Sequence, residues 1–153
     1  MNVYQFRSGH SLNTVNAQAV GEELERIRTA NNGLLTAAIV LQEASDLESP
    51  LHDQFTWDND KAAEKHRLTE ARRIIVSVQI LNTPIGKPTI AYVNVRSPEH
   101  GRSYIPTMEA MSDEELRIRV LTEIRQAVES IERRYAHFAE VTDLLTRVKK
   151  SVG

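Results

Sequence analysis

Cysteine is absent from the 153-residue chain, which excludes a disulfide framework, a thiolate-ligated zinc or iron–sulfur centre and thiol catalysis. Aromatic residues are few: three Phe, one Trp and four Tyr are too sparse for the core of a β-sandwich or for a row of rings that stack bases. Neither sign of charge dominates, since 19 Lys and Arg stand against 21 Asp and Glu. No global positive field therefore draws the chain to DNA or to an anionic membrane, and a nucleic-acid role needs a local patch. No uninterrupted apolar run approaches the roughly 18–20 residues of a membrane span. The opening MNVYQFRSGH lacks the basic-then-apolar layout of a secretory signal. The expectation is a soluble, cytoplasmic protein with no membrane partner.

Chemical motifs are missing as well. No H-x-x-x-H or H-E-x-x-H pair places two ligands on one helical face, and no G-x-S-x-G elbow, P-loop or G-x-G-x-x-G is present. Asp58-Asn59-Asp60 resembles the opening of a calcium loop, but Ala63 stands at the position such a loop reserves for glycine, so the triplet reads as a helix start. His10, His52, His66, His100 and His137 are scattered, and His52-Asp53 with His66 reads as packing. Glu22, Glu23 and Glu25 read as a solvated helix face, with Glu22 four before Arg26. The expectation is no catalytic residue, no metal and no cofactor.

What is present has a clear order. Residues 1–13 are mostly polar and read as a tail. Ala17, Val20, Leu24 and Ile27 recur at helical spacing, and Asn31-Asn32-Gly33 supplies the residues that let a helix stop in a left-handed turn. Thr36 caps a second helix through AAIVLQEAS, apolar all round and so expected to be buried. Ser49-Pro50 reads as a third start, and Asp58 as the cap of a helix running to Arg73. Ile74, Val76, Val78 and Ile80 then alternate with the period of a strand, followed across a Pro-flanked loop by TIAYVNVR and, after Pro98-Glu99-His100-Gly101, by a third short strand over residues 103–108. An antiparallel meander is the simplest connection. Residues 14–110 thus read as one helical and β domain.

Residues 111–153 read as a long helix or a helical hairpin. Ser112 with Glu115 forms a capping box, and neither Gly nor Pro follows before Lys150. Leu121, Ile124, Val128, Ile131, Tyr135 and Phe138 are spaced three, four, three, four, three, the seam of a coiled coil. A straight helix of this length spans roughly 60 Å, against about 40 Å for the diameter of a domain this size. It therefore breaks between about Ala136 and Asp143 or pairs with a second chain; either way these six residues are the expected association surface. The fold class expected is α+β, and a homo-oligomer is the expected assembly.

A second reading is a winged-helix DNA-binding protein with a C-terminal dimerisation helix. Helix 59–73 would enter the major groove and the Lys87 loop would be the wing, with Lys61, Lys65, Arg67, Arg72, Arg73 and Lys87 at the contact. Asp58, Asp60 and Glu64 place negative charge where phosphates would lie, which weighs against it.

The segment Ser49-Pro50-Leu51-His52-Asp53-Gln54-Phe55-Thr56-Trp57-Asp58, with Ala62-Ala63, Arg67 and Ala71-Arg72 after it, resembles a segment of small proteins encoded by bacteriophages and prophages. In that pattern an SPLH-type turn leads into an aromatic-x-Trp-Asp corner and then an Ala- and Arg-containing helix. The resemblance implies a phage or prophage setting, the cytoplasm of a bacterial host, and work by binding a host or phage protein or DNA. The expected function is that of a non-enzymatic, oligomeric binding or adaptor protein in phage DNA metabolism, regulation or assembly.

Overall fold

Val20, Leu24 and Ile27, the helical repeat of the first apolar stretch, are fully buried in the computed structural model. The structure describes residues 1–12, 14–57, 61–97 and 99–152, the side chains at 61, 62, 97, 151 and 152 excepted. Two units are distinguished, Met1–Glu109 and Ala110–Gly153. Antiparallel sheets and helices, among them a long one near the C-terminus, make the fold α+β.

In the first unit, α1 (Ala17–Ala30) starts where the Asn16 side chain accepts from the Ala19 amide at 2.9 Å. It ends as expected, with Asn32 and Gly33 at φ of +55° and +83° and the Gly33 amide donating to the Arg28 carbonyl at 2.8 Å. Thr36 caps α2 (Ala37–Ala44) by accepting from the Ile39 amide. This helix is not buried all round: Ala37, Val40 and Ala44 face the core while Ala38 is exposed. Ser49-Pro50 opens only a 3₁₀ turn, His52–Gln54, whose neighbours Leu51 and Phe55 are buried. The cap expected at Asp58, with Asn59 and Asp60, lies outside the described residues.

Three further expectations are corrected. The polar tail contains β1 (Tyr4–Phe6), because Tyr4 is buried against α1 and the strand pairs with β2 (Val78–Ile80) in the register Tyr4 to Ile80. The alternation starting at Ile74 is not yet strand: α3 (Lys61–Ser77) continues through it. Ala71, Ile74, Ile75 and Val78 are all buried, and that set also satisfies the i, i+3, i+4, i+7 spacing of a helix packed on α2. The stretch TIAYVNVR is two strands, β3 (Thr89–Ile90) and β4 (Tyr92–Ser97). Between them Ala91 turns the chain, its amide bonding Val78 and its carbonyl Thr107.

The sheets are therefore β1-β2-β3, antiparallel, and a ribbon of β4 with β5 (Gly101–Pro106), paired from Tyr92 opposite Pro106 to Ser97 opposite Gly101. Helix α4 (Thr107–Ser112) follows. The second unit holds α5 (Glu114–Tyr135) and α6 (Ala139–Val152), which pack on each other as a hairpin. The chain folds back at residues 136–138, inside the expected window. Asp113 rather than Ser112 is the cap of α5, its carboxylate accepting from the Leu116 amide at 2.9 Å.

Candidate functional site

Five of the six seam residues, Leu121 to Tyr135, occupy one side of α5, and Phe138 falls in the turn after it; α6 covers only part of that side. Val128 is buried and Leu121 half-buried, whereas Ile124, Ile131, Tyr135 and Phe138 are 41%, 44%, 41% and 49% exposed. A helical stripe about 100° wide is broader than one neighbouring helix conceals. On α6, Leu145 is buried and Val141 and Val148 are half-buried, and these continue the seam toward the hairpin interior. Leu144, one residue away and so about 100° round the helix, is 55% exposed. Sequence spacing did not single it out, because Val141, Leu145 and Val148 continue the seam at steps of four and three and leave Leu144 off it.

Ion pairs frame this face. Lys149 of α6 bonds Glu132 of α5 across the hairpin, and Arg119 bonds Glu115 at 2.5 Å one turn along α5. The acidic start of α5, Asp113, Glu114 and Glu115, and its basic end, Arg133 and Arg134, complement the helix dipole at both termini. Residues 110–153 carry eight acidic and eight basic side chains, so no net charge opposes the approach of a second hairpin.

The six basic residues of the DNA reading are not gathered on one surface of α3. Arg67 donates to the Thr56 carbonyl and lies over the Trp57 ring at 5.8 Å, and Arg73 donates to the Ser11 carbonyl. Lys65 and Arg72, seven apart, share a different helix flank, and both are exposed. Lys87 sits in the loop between β2 and β3, where its carbonyl accepts from Thr83. The Lys61 side chain lies outside the described residues.

Residues 49–57 form a packed corner. His52 stacks on Trp57 with ring centroids 4.8 Å apart, its Nδ1 is 2.9 Å from the Ala44 carbonyl, and the Trp57 indole donates to the His52 carbonyl at 2.9 Å. Phe55 leans on the same indole. Trp57 is thus an anchor between the 3₁₀ turn and α3, with His52 as its partner. His66 bonds Glu70 at 3.1 Å and does not join His52.

The acidic run on α1 divides. Glu23 is buried on the Val20–Leu24–Ile27 side, where Arg26 grips it through two bonds of 2.8 Å and Ser49 donates to it. Arg26 also bonds Glu43 of α2, while Glu22 accepts from Gln18, so the expected Glu22–Arg26 pair is replaced by a tie between α1 and α2. Arg28 bonds Glu25, whose carboxylate also accepts from the Tyr92 hydroxyl, and lies 3.5 Å from Glu109. Burial pushes the Tyr92 hydroxyl far above its ordinary value. Among the described residues no helix is long and apolar enough to cross a membrane, and no group of three or more His, Asp or Glu converges. No family model, curated protein or solved structure matches the chain.

Proposed function

We propose that the chain is a non-enzymatic adaptor that associates with a second copy of itself through the apolar face of its C-terminal hairpin, in the phage or prophage setting implied by its Ser49–Asp58 segment. The observation that carries this reading is the exposure of Ile124, Ile131, Tyr135, Phe138 and Leu144 on a two-helix unit in which Val128 and Leu145 are buried. Covering a half-exposed side chain of this size gains about 1 kcal/mol. Two copies together bring a gain comparable with the cost of association, so a dimer of modest, concentration-dependent strength follows.

Charge selects the occupant and its direction. Nineteen residues separate Glu114 from Arg133, or about 28 Å along the helix. A second α5 lying antiparallel brings its basic end against the acidic start of the first and its acidic start against the basic end. The DNA reading has less geometric support, because two of its six cations are engaged within the chain.

Light scattering on the purified chain is expected to give a dimer that dissociates on dilution, and Ile124→Asp with Ile131→Asp to give a monomer with its helical circular dichroism retained. Reversing Glu114 and Glu115 to Arg weakens the dimer, and reversing Arg133 and Arg134 to Glu in the same chain restores it. A wild-type chain that stays monomeric at high concentration overturns the proposal.

A further inference from the structure

A concave site lies in the first unit, on elements that the self-association reading does not use. Along the β4–β5 ribbon Asn94 is opposite Tyr104 and Arg96 opposite Arg102, so these four residues share one face. The Tyr104 amide donates to the Leu35 carbonyl at 2.7 Å, which docks the ribbon beside the first turn of α2. Helix α3 closes the other side with Leu68 and Arg72. The result is a cleft of about 430 Å³ whose lining includes Ala37, Ala38, Arg72, Asn94, Arg102 and Tyr104, with His100 at the ribbon turn and no carboxylate among the described lining residues.

Several donors in the cleft have no acceptor among the described residues. The Ala37 and Ala38 amides belong to the first turn of α2, where intrahelical partners do not exist, and Thr36 serves only the Ile39 amide. Among the described residues Arg72 has neither an ion pair nor a hydrogen bond, in contrast with Arg26 and Arg28. Tyr104 is 7% exposed, and among the described residues its hydroxyl has no hydrogen-bond partner. Burial raises that hydroxyl above its ordinary value while Arg72 and Arg102 oppose the shift, so both guanidinium groups bear on the same point. Arg102 is steadied by Asn94, which accepts from it at 2.6 Å. Polar groups in folded chains are rarely left without a partner, and Tyr104, largely covered, and Arg72, exposed, both line this cleft with donors that a ligand or water must satisfy.

We propose that this cleft binds the phosphate monoester of a small organic molecule. Its oxygens accept from Arg72, Arg102, the Tyr104 hydroxyl and the Ala37 and Ala38 amides, and its organic body lies on the apolar wall of Leu68 and Ala38. Two guanidinium groups and a helix N-terminus match a dianion better than the single charge of a phosphodiester. The concave shape and apolar wall suit a compact ligand rather than a long strand. His100 at the rim lies 3.7 Å from the Glu99 carboxylate and is not among the phosphate donors.

Calorimetric titration of the full chain with phenyl phosphate, inorganic phosphate and a single-stranded oligonucleotide tests this. Phenyl phosphate is expected to bind at least about fivefold tighter than inorganic phosphate. Arg72→Gln is expected to weaken it about tenfold or more, the loss of one charge-assisted bond. Tyr104→Phe should weaken binding severalfold while leaving the thermal midpoint unchanged, because the hydroxyl it removes has no partner among the described residues. No binding of phenyl phosphate up to about 10 mM, or binding that Arg72→Gln and Tyr104→Phe leave intact, overturns the proposal. Tighter binding of the oligonucleotide than of phenyl phosphate overturns it in favour of a nucleic-acid backbone.

Discussion

Gly21 shows how one atom fixes the place of the first strand. A Cβ built at this position of α1 would stand 2.2–2.5 Å from three ring atoms of Tyr4, so the ring lies directly on the helix backbone. Replacing Gly by Ala inside a helix ordinarily gains about 1 kcal/mol, whereas overpacking a filled site costs about 1–3 kcal/mol. The overlap reaches the root of the ring, which a rotamer change does not relieve, so the clash wins. Gly21→Ala is expected to destabilise the chain by up to about 2 kcal/mol in urea unfolding and to raise amide exchange at Tyr4 and Phe6, with α1 intact. Neither the Gly21–Tyr4 contact nor the burial of Glu23 was legible in the sequence. Both depend on partners, Tyr4 and Ser49, that are distant along the chain, and a polar stretch such as MNVYQFRSGH gives no sign that one of its rings will be covered.

At the level of elements, periodicity located the helices better than it located their ends. The stop at Asn32-Gly33 and the cap at Thr36 were readable because a left-handed turn and an N-cap each require few residue types. The run from Ala71 to Ile80 was not, since Ile74, Val76, Val78 and Ile80 fit a strand while Ala71, Ile74, Ile75 and Val78 fit a helix. Packing against α2 decides between the two, and Ser77, whose hydroxyl donates to the Ile74 carbonyl at 2.7 Å, closes the last turn. The start of α5 was displaced by one residue for a similar reason: Ser112 and Asp113 are both good caps, and α4 occupies Ser112. Asp113→Ala removes the bond to the Leu116 amide and is expected to cost about 1 kcal/mol. Hydrogen exchange localises the effect: the Leu116 amide should lose protection in Asp113→Ala while amides in the middle of α5 keep theirs.

Across the whole molecule, a core built on α1, α2, α3 and β1–β3 stands in one unit and a hairpin with few buried side chains in the other. The helical stripe from Leu121 to Tyr135 was legible, because spacings of three and four persist along it. Which of them remain open was not, because that depends on how much of the stripe α6 covers after the turn at residues 136–138. An open stripe ties stability to concentration. A species that forms only from two folded copies gains about 1.4 kcal/mol for each tenfold rise in protein, which for a chain of this size moves the thermal midpoint by about 2–4 °C. Melting followed by far-ultraviolet circular dichroism at concentrations spanning two decades is therefore expected to show a midpoint that climbs steadily with concentration, and Ile124→Asp with Ile131→Asp should flatten that dependence. Trp57, the sole tryptophan and a residue of the first unit, supplies the control. Its emission in the double variant should match that of the wild type, since neither substitution touches the corner it packs in. A midpoint that ignores concentration in the wild type, or a double variant whose tryptophan emission shifts to that of the unfolded chain, places those isoleucines in the fold of a single copy rather than between two.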